Sequence, residues 1–325
     1  PGISWDISEV FGDEFSEPDP MYDGSLFHVS ISGSDNNDGS IDNPFSSIQF
    51  AYDRADEHDT ILVHPGVYND DIWFYGKNVV LGSLYLSTGD TSFISSTIID
   101  GDSTDCTIAI YGNIDSTCRV TGFTIQNGIG CVYGQGAGIY VESASPKLDN
   151  LIIKNNIGGT NGGGICLNGN SNSLIDKVVI KNNSADTGGG LYSFNSNPVI
   201  TNSVIQNNHS NNGAGVFLEL CSPNFENVSI TDNNAISSGG GIYCGLTSYP
   251  ALNHVTISNN SASFAGGILS TQNSQPIFSN SILWNDSPEE IVSHPDSITI
   301  VYSNIEGGWQ GAGNINQDPL FCMAE

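Results

Sequence analysis

Few residues in this chain could take a proton from carbon, because seven Lys and Arg stand against 35 Asp and Glu. The regular part offers only Arg119, Lys147, Lys154, Lys177 and Lys181. Lys154 and Lys181 occupy the same place in consecutive repeats. On stacked rungs about 5 Å apart their repulsion would lower the pKa of each, as a catalytic base requires. Asp149 and Asp176 share a second outward column, joined two rungs later by Glu226, and their oxygens suit Ca²⁺. Five residues and a corner part the two columns, and both also fit simple solvated charge. The Asp pair meets the separation of about 5–9.5 Å used in glycoside hydrolysis, but nothing in the sequence marks either carboxylate as desolvated. Asp35-Asn-Asn-Asp-Gly39 has suitable oxygens yet lacks the later bidentate Glu of a calcium loop, so it reads as a turn.

A third column carries binding rather than acid–base chemistry. After each Gly-rich mark the strand alternates, which turns Tyr140, Cys166, Tyr192, Phe217, Tyr243 and Leu269 outward. On a free surface Tyr140, Tyr192, Phe217 and Tyr243 would form a flat platform for sugar rings. The same column equally suits packing against a turn or a partner chain, or mutual support as a cross-strand stack.

What must position these columns is a repeat. Gly136-Ala-Gly-Ile139, Gly162-Gly-Gly-Ile165, Gly188-Gly-Gly-Leu191, Gly213-Ala-Gly-Val216, Gly239-Gly-Gly-Ile242 and Ala265-Gly-Gly-Ile268 recur with their third residues 26, 26, 25, 26 and 26 positions apart. An aliphatic residue followed three later by Asn keeps the same period, at Ile153/Asn156, Ile180/Asn183, Ile205/Asn208, Ile230/Asn233 and Ile257/Asn260. Such a period marks a solenoid, propeller or array. Val120, Leu148, Ile175, Ile200, Phe225, Leu252 and Phe278 must then point inward. The stacked Asn can bond to one another and to corner backbone. The glycines serve positive φ at corners or close packing between coils.

The net charge of −28 leaves no basic stripe to neutralise phosphates, which argues against nucleic acid and against anionic membranes. No run approaches the roughly 18 apolar residues of a membrane span, and no signal peptide is visible. Polarity rests on 36 Asn with many Ser and Thr, a composition suited to extracellular salts, cations and sugars. Cys106 and Cys118 flank a short segment and could pair; the other Cys read as buried thiols, and no Cys-x-x-Cys supports zinc.

In chain order, the acidic residues 1–24 read as an irregular lead-in. Residues 25–325 read as one domain with regular coils over about 120–306. A strand at Phe27–Ile31, a turn-rich loop, a helix within Pro44–Ala55 capped by Ser46 or Ser47, and a buried strand ending in Val-His-Pro-Gly-Val-Tyr68 follow one another. This opening resembles that of secreted right-handed parallel β-helix proteins, including polysaccharide lyase families, where the helix caps the first coil. The Gly-Gly-x-Ile and Ile-x-x-Asn marks resemble the repeats of polymorphic outer-membrane proteins and related bacterial surface β-helices. The resemblance spans about residues 25–321 and implies an all-β solenoid with a short capping helix, at a bacterial surface or outside the cell. It fits two activities: a glycan-binding, adhesive or stalk module needing no cofactor, or a Ca²⁺-dependent lyase of uronate polysaccharides using Lys154 or Lys181. Asp318-Pro-Leu-Phe321 fits the last coil with no obvious cap beyond it, so a neighbouring domain or chain could adjoin this end.

Overall fold

A computed structural model describes residues 25–131, 134–293 and 297–321. The acidic lead-in 1–24 and Cys322 lie outside these residues. The chain winds as a right-handed parallel β-solenoid of about 8 turns. Every pairing between named strands is parallel and joins one coil to the next. Each coil has three faces. Face a carries strands such as Ile139–Glu142, Ile165–Asn168 and Leu191–Phe194. Faces b and c carry pairs such as Val199–Thr201 with Val204–Gln206, which merge into single bent strands at Lys147–Lys154 and Leu174–Lys181.

The corners explain much of the sequence. Between faces b and c stand Asn150, Lys177, Asn202, Asn227, His254 and Asn280, all with φ between 48° and 55°. After face c, Asn155, Asn182, Asn207, Asp232 and Asn259 adopt the same left-handed conformation. Asn tolerates that region better than most residues, so both of these are columns of bends, and in the first of them Asn227 Nδ2 also donates to Asn202 Oδ1. The true ladder is the inner one. Asn156, Asn183, Asn208, Asn233 and Asn260 are buried, and each amide nitrogen donates to the side-chain oxygen of the next rung.

Inside, Val120, Leu148, Ile175, Ile200, Phe225, Leu252 and Phe278 are at most 1% exposed, as the columns require. The Gly marks divide their work. The first residue of each mark turns the corner, as with Gly162 at φ 69° and Ala265 at φ 58°. The third brings coils together: a Cβ on Gly164 would lie 2.6 Å from the Gly190 carbonyl oxygen.

The helix Ile48–Arg54 packs on the first coil with Ser47 as its N-cap, accepting from the Phe50 N–H. Asp70 strengthens that terminus, its Oδ2 accepting from Ser47 Oγ and the Ile48 N–H. Asp35 accepts from the N–H groups of Ser46 and Ser47, so its loop is the turn expected. At the other end, residues 306–317 fold back over the last coil. Ile305 donates to Ile315, Ile315 donates to Ser303, and Trp309 packs against the core.

The cysteine expectation needs correcting. Cys106 pairs with Cys131, 25 residues on and therefore one coil away, while Cys118 is a buried free thiol inside the solenoid. Cys166, Cys221 and Cys244 are buried thiols as expected.

Candidate functional site

The lysine and aspartate columns exist in register but do not meet. Lys154 pairs with Lys181 and Asp149 with Asp176 on the same two strands. Between the columns, Ile152 and Val179 point outward and are covered by Ile94 and Tyr85, from the helices Ser92–Ser96 and Tyr85–Thr88. This helical excursion occupies the surface on which a base and a cation would have to converge. Lys181 is nevertheless held below the usual lysine range, by burial first and by the neighbouring Lys154 second.

Of the two carboxylates expected as metal ligands, Asp149 and Asp176, the first is enclosed and turned to a cationic side chain. It is 2% exposed, and Arg119 grips both its oxygens at 2.7 Å. Thr121 and Asn150 also donate to its Oδ2. Asp176 accepts from Thr201 and Asn202 through one oxygen. Among the described residues the one set of three His, Cys, Asp or Glu whose ligand atoms all lie within 4.8 Å of one another is Asp105 with the disulfide cysteines, and disulfide sulfur is no thiolate ligand.

The aromatic column lies outside face a, as the alternation requires, but not as a bare platform. Tyr140, Tyr192 and Phe217 are 3%, 8% and 6% exposed. Tyr192 stacks on Phe217 and Phe217 on Tyr243, with centroids 5.6 and 4.5 Å apart. Each Gly-marked turn also rests against the side chain four residues on, Gly136 against Tyr140 and Gly213 against Phe217. The ring faces are therefore spent on neighbours. Burial pushes the Tyr140 and Tyr192 phenols far above their usual range, and their hydroxyls donate to Glu142 and Glu219.

Where this column starts, the rings open. The strand Ile72–Tyr75 buries Ile72 and Phe74 and turns Trp73 and Tyr75 outward beside Tyr111 of the next coil. The three rings lie within 15° of parallel, with centroids 5.4–6.2 Å apart. Tyr75 is 59% exposed, whereas burial lifts the Tyr111 phenol to about 12 and its hydroxyl has no partner.

A family model for the right-handed β-helix region matches residues 82–261, more than half of the chain. The chain belongs to this right-handed β-helix family. Among solved structures, the β-helix is similar to pectate lyase Pel9A, with TM-score 0.51 and 12% identity over 86% of this chain and 69% of that one. It is also similar to the pectin methylesterase of Aspergillus niger (TM-score 0.42, 14% identity, 91% of each chain). A GH136 lacto-N-biosidase from Eubacterium ramulus gives TM-score 0.47 and 13% identity over 91% of this chain and 66% of that one. At these identities the likeness is one of fold. A search of curated proteins by sequence finds no match.

Sequence reasoning overlooked two groups of the β-helix. One is the open aromatic triad, which alternation over Ile72-Trp-Phe-Tyr75 would have signalled. The other lies at the last rungs, where Asp286, Glu290 and Glu306 line a cleft of about 550 Å³ with Trp309. Its signal was present too: Asp286 stands 26 residues after Asn260, in the column that is otherwise Asn.

Proposed function

We propose that this β-helix is a glycan-binding protein that works outside the cell, receiving sugar rings on the outer side of face a at Trp73, Tyr75 and Tyr111. The observation that carries the reading is the near-parallel triad with Tyr75 largely exposed, since flat aromatic surface is what the apolar side of a sugar ring packs against. Glu142 and Glu219, along the same face, supply acceptors for sugar hydroxyls. Those carboxylates and the −28 charge repel uronates, so neutral glycans are the expected class. The Cys106–Cys131 disulfide supports an oxidising compartment. An array of neutral and acidic glycans, followed by calorimetry on Tyr75→Ala and Trp73→Ala, tests the reading. Each variant should weaken binding about tenfold, or roughly 1.4 kcal/mol. An array on which no glycan binds, or variants that bind as the parent does, would refute it.

One observation favours a second reading, a Ca²⁺-assisted lyase of uronate polysaccharides: the lowered basicity of Lys181 beside Lys154. Incubation with pectic substrates and Ca²⁺ should then yield unsaturated product absorbing in the ultraviolet, and Lys181→Ala should abolish it. Absence of product across such a panel removes this reading.

A further inference from the structure

The Asn ladder ends in a residue that cannot do what an Asn does there. On each lower rung the amide nitrogen donates to the isoleucine carbonyl of the preceding coil, as Asn183, Asn208, Asn233 and Asn260 do to Ile153, Ile180, Ile205 and Ile230. The same nitrogen also donates to the oxygen of the next rung. Asp286 keeps the acceptor half: its Oδ1 receives the N–H and the amide of Asn260 at 2.6 and 2.9 Å. Its Oδ2 takes the place of the nitrogen. A Cβ on Gly241 would meet Asn260 Nδ2 at 3.1 Å, and a Cβ on Gly267, one coil later, would meet Asp286 Oδ2 at 2.8 Å.

An oxygen in that place has nothing to donate, and Asp286 Oδ2 is buried without a partner in a side chain only 8% exposed. Glu290 compounds the mismatch. Its Oε1 accepts the Asp286 N–H at 2.8 Å, the service that the next Asn oxygen performs on lower rungs, and its Oε2 is likewise buried and unpartnered. An Asn at 286 could have donated to Glu290, whereas an Asp sets one carboxyl against another. Glu306 adjoins them, its Oε2 accepting from the Asn285 N–H. The three carboxyls line one cleft beside Trp309. Burial makes Asp286 and Glu290 much weaker acids than usual, with repulsion from Glu306 adding at Asp286 and repulsion from Asp286 adding at Glu290, as happens when a positive partner is wanting.

We propose that this cleft is a divalent-cation site, with Ca²⁺ bound by the free oxygens of Asp286 and Glu290 and its remaining positions filled by water. Hard carboxylate oxygens with room for water suit Ca²⁺, whose coordination is large and adaptable. The ion replaces the donors that the ladder lacks and fastens residues 285–291 to the closing segment that carries Trp309. The proposal is independent of glycan binding on face a.

Asp286→Asn is a favourable probe, because Asn serves every lower rung and leaves the fold intact. Tb³⁺ emission excited through tryptophan reports occupancy, since Trp309 lines the cleft. The parent protein should show saturable emission that Ca²⁺ displaces, and a Tm that rises with Ca²⁺ at fixed ionic strength. Asp286→Asn and Glu290→Gln should each weaken Tb³⁺ binding at least tenfold and abolish the Ca²⁺-dependent rise in Tm. Trp309→Phe should lose emission yet keep that rise. Parent protein without saturable emission or a Tm response, or carboxyl variants that titrate like the parent, would overturn the proposal. In the absence of Ca²⁺, Asp286→Asn should melt above the parent, and a lower Tm would also count against it.

Discussion

Replacing Asn208 by Ala probes the ladder in the middle of the solenoid, where coils continue on both sides. Asn208 is 1% exposed and its side chain makes four hydrogen bonds. It accepts from the Asn183 N–H at 3.0 Å and from Asn183 Nδ2 at 3.1 Å, and it donates to the Ile180 carbonyl at 3.0 Å and to Asn233 Oδ1 at 3.0 Å. Truncation leaves two donors of Asn183 and one carbonyl of Ile180 without these partners in a dry interior. At about 1–3 kcal/mol for each orphaned group, and allowing for relaxation, the loss should be about 3–6 kcal/mol. That is a large part of the roughly 5–15 kcal/mol that holds an ordinary domain together. Asn207, its neighbour, is exposed at φ 54°, so Asn207→Gly keeps the bend and should change stability by only a few tenths of a kcal/mol. Urea unfolding of both variants, followed by circular dichroism, makes the comparison. Two variants within about 1 kcal/mol of each other would refute the view that the inner Asn column bears the load between coils.

Gly164→Ala places a Cβ against the Gly190 carbonyl oxygen and the Ile180 methyl at 2.6 and 2.7 Å, and should cost at least about 2 kcal/mol. Gly76→Ala meets no atom within 4 Å and should cost only the roughly 1 kcal/mol of its positive φ. Asp149→Ala removes the carboxylate that neutralises half-buried Arg119, and a urea titration should register a loss of about 2–4 kcal/mol. Because Asp286 and Glu290 are weaker acids folded than unfolded, folding takes up protons there. Their contribution is complete below the ordinary carboxylate range near pH 4 and is lost as pH rises through the raised values. In Ca²⁺-free buffer the Tm should therefore fall as pH rises from about 4 to 8, and less steeply in Asp286→Asn.

The sequence displayed its architecture because a solenoid writes the same constraint once per coil. Leu148, Ile175 and Ile200 could be placed inside, and Asn183 and Asn208 on a ladder, from spacing alone. What spacing does not state is which neighbour covers an outward side chain. Tyr192 and Phe217 point outward as alternation demands, yet they are shielded by each other and by the turns that precede them. The helical excursion over Ile152 and Val179 breaks the period, so nothing in the repeat placed it between the Lys and Asp columns. Cys106 looked paired with the nearer Cys118, although 25 residues is the coil length and Cys131 lay one rung above. The open triad and the terminal carboxyls escaped because they sit at the two ends, where the columns begin and stop.

Since each inner Asn is bonded only to the rung before it and the rung after it, the ladder sets no natural number of rungs. A unit such as residues 162–187 could be removed or duplicated, and the new neighbours would still present the same oxygens, amides and glycine corners to each other. The molecule would shorten or lengthen by about 4.8 Å at each such event. Reach, in this fold, is a quantity that inheritance can adjust in whole steps while both ends stay as they are.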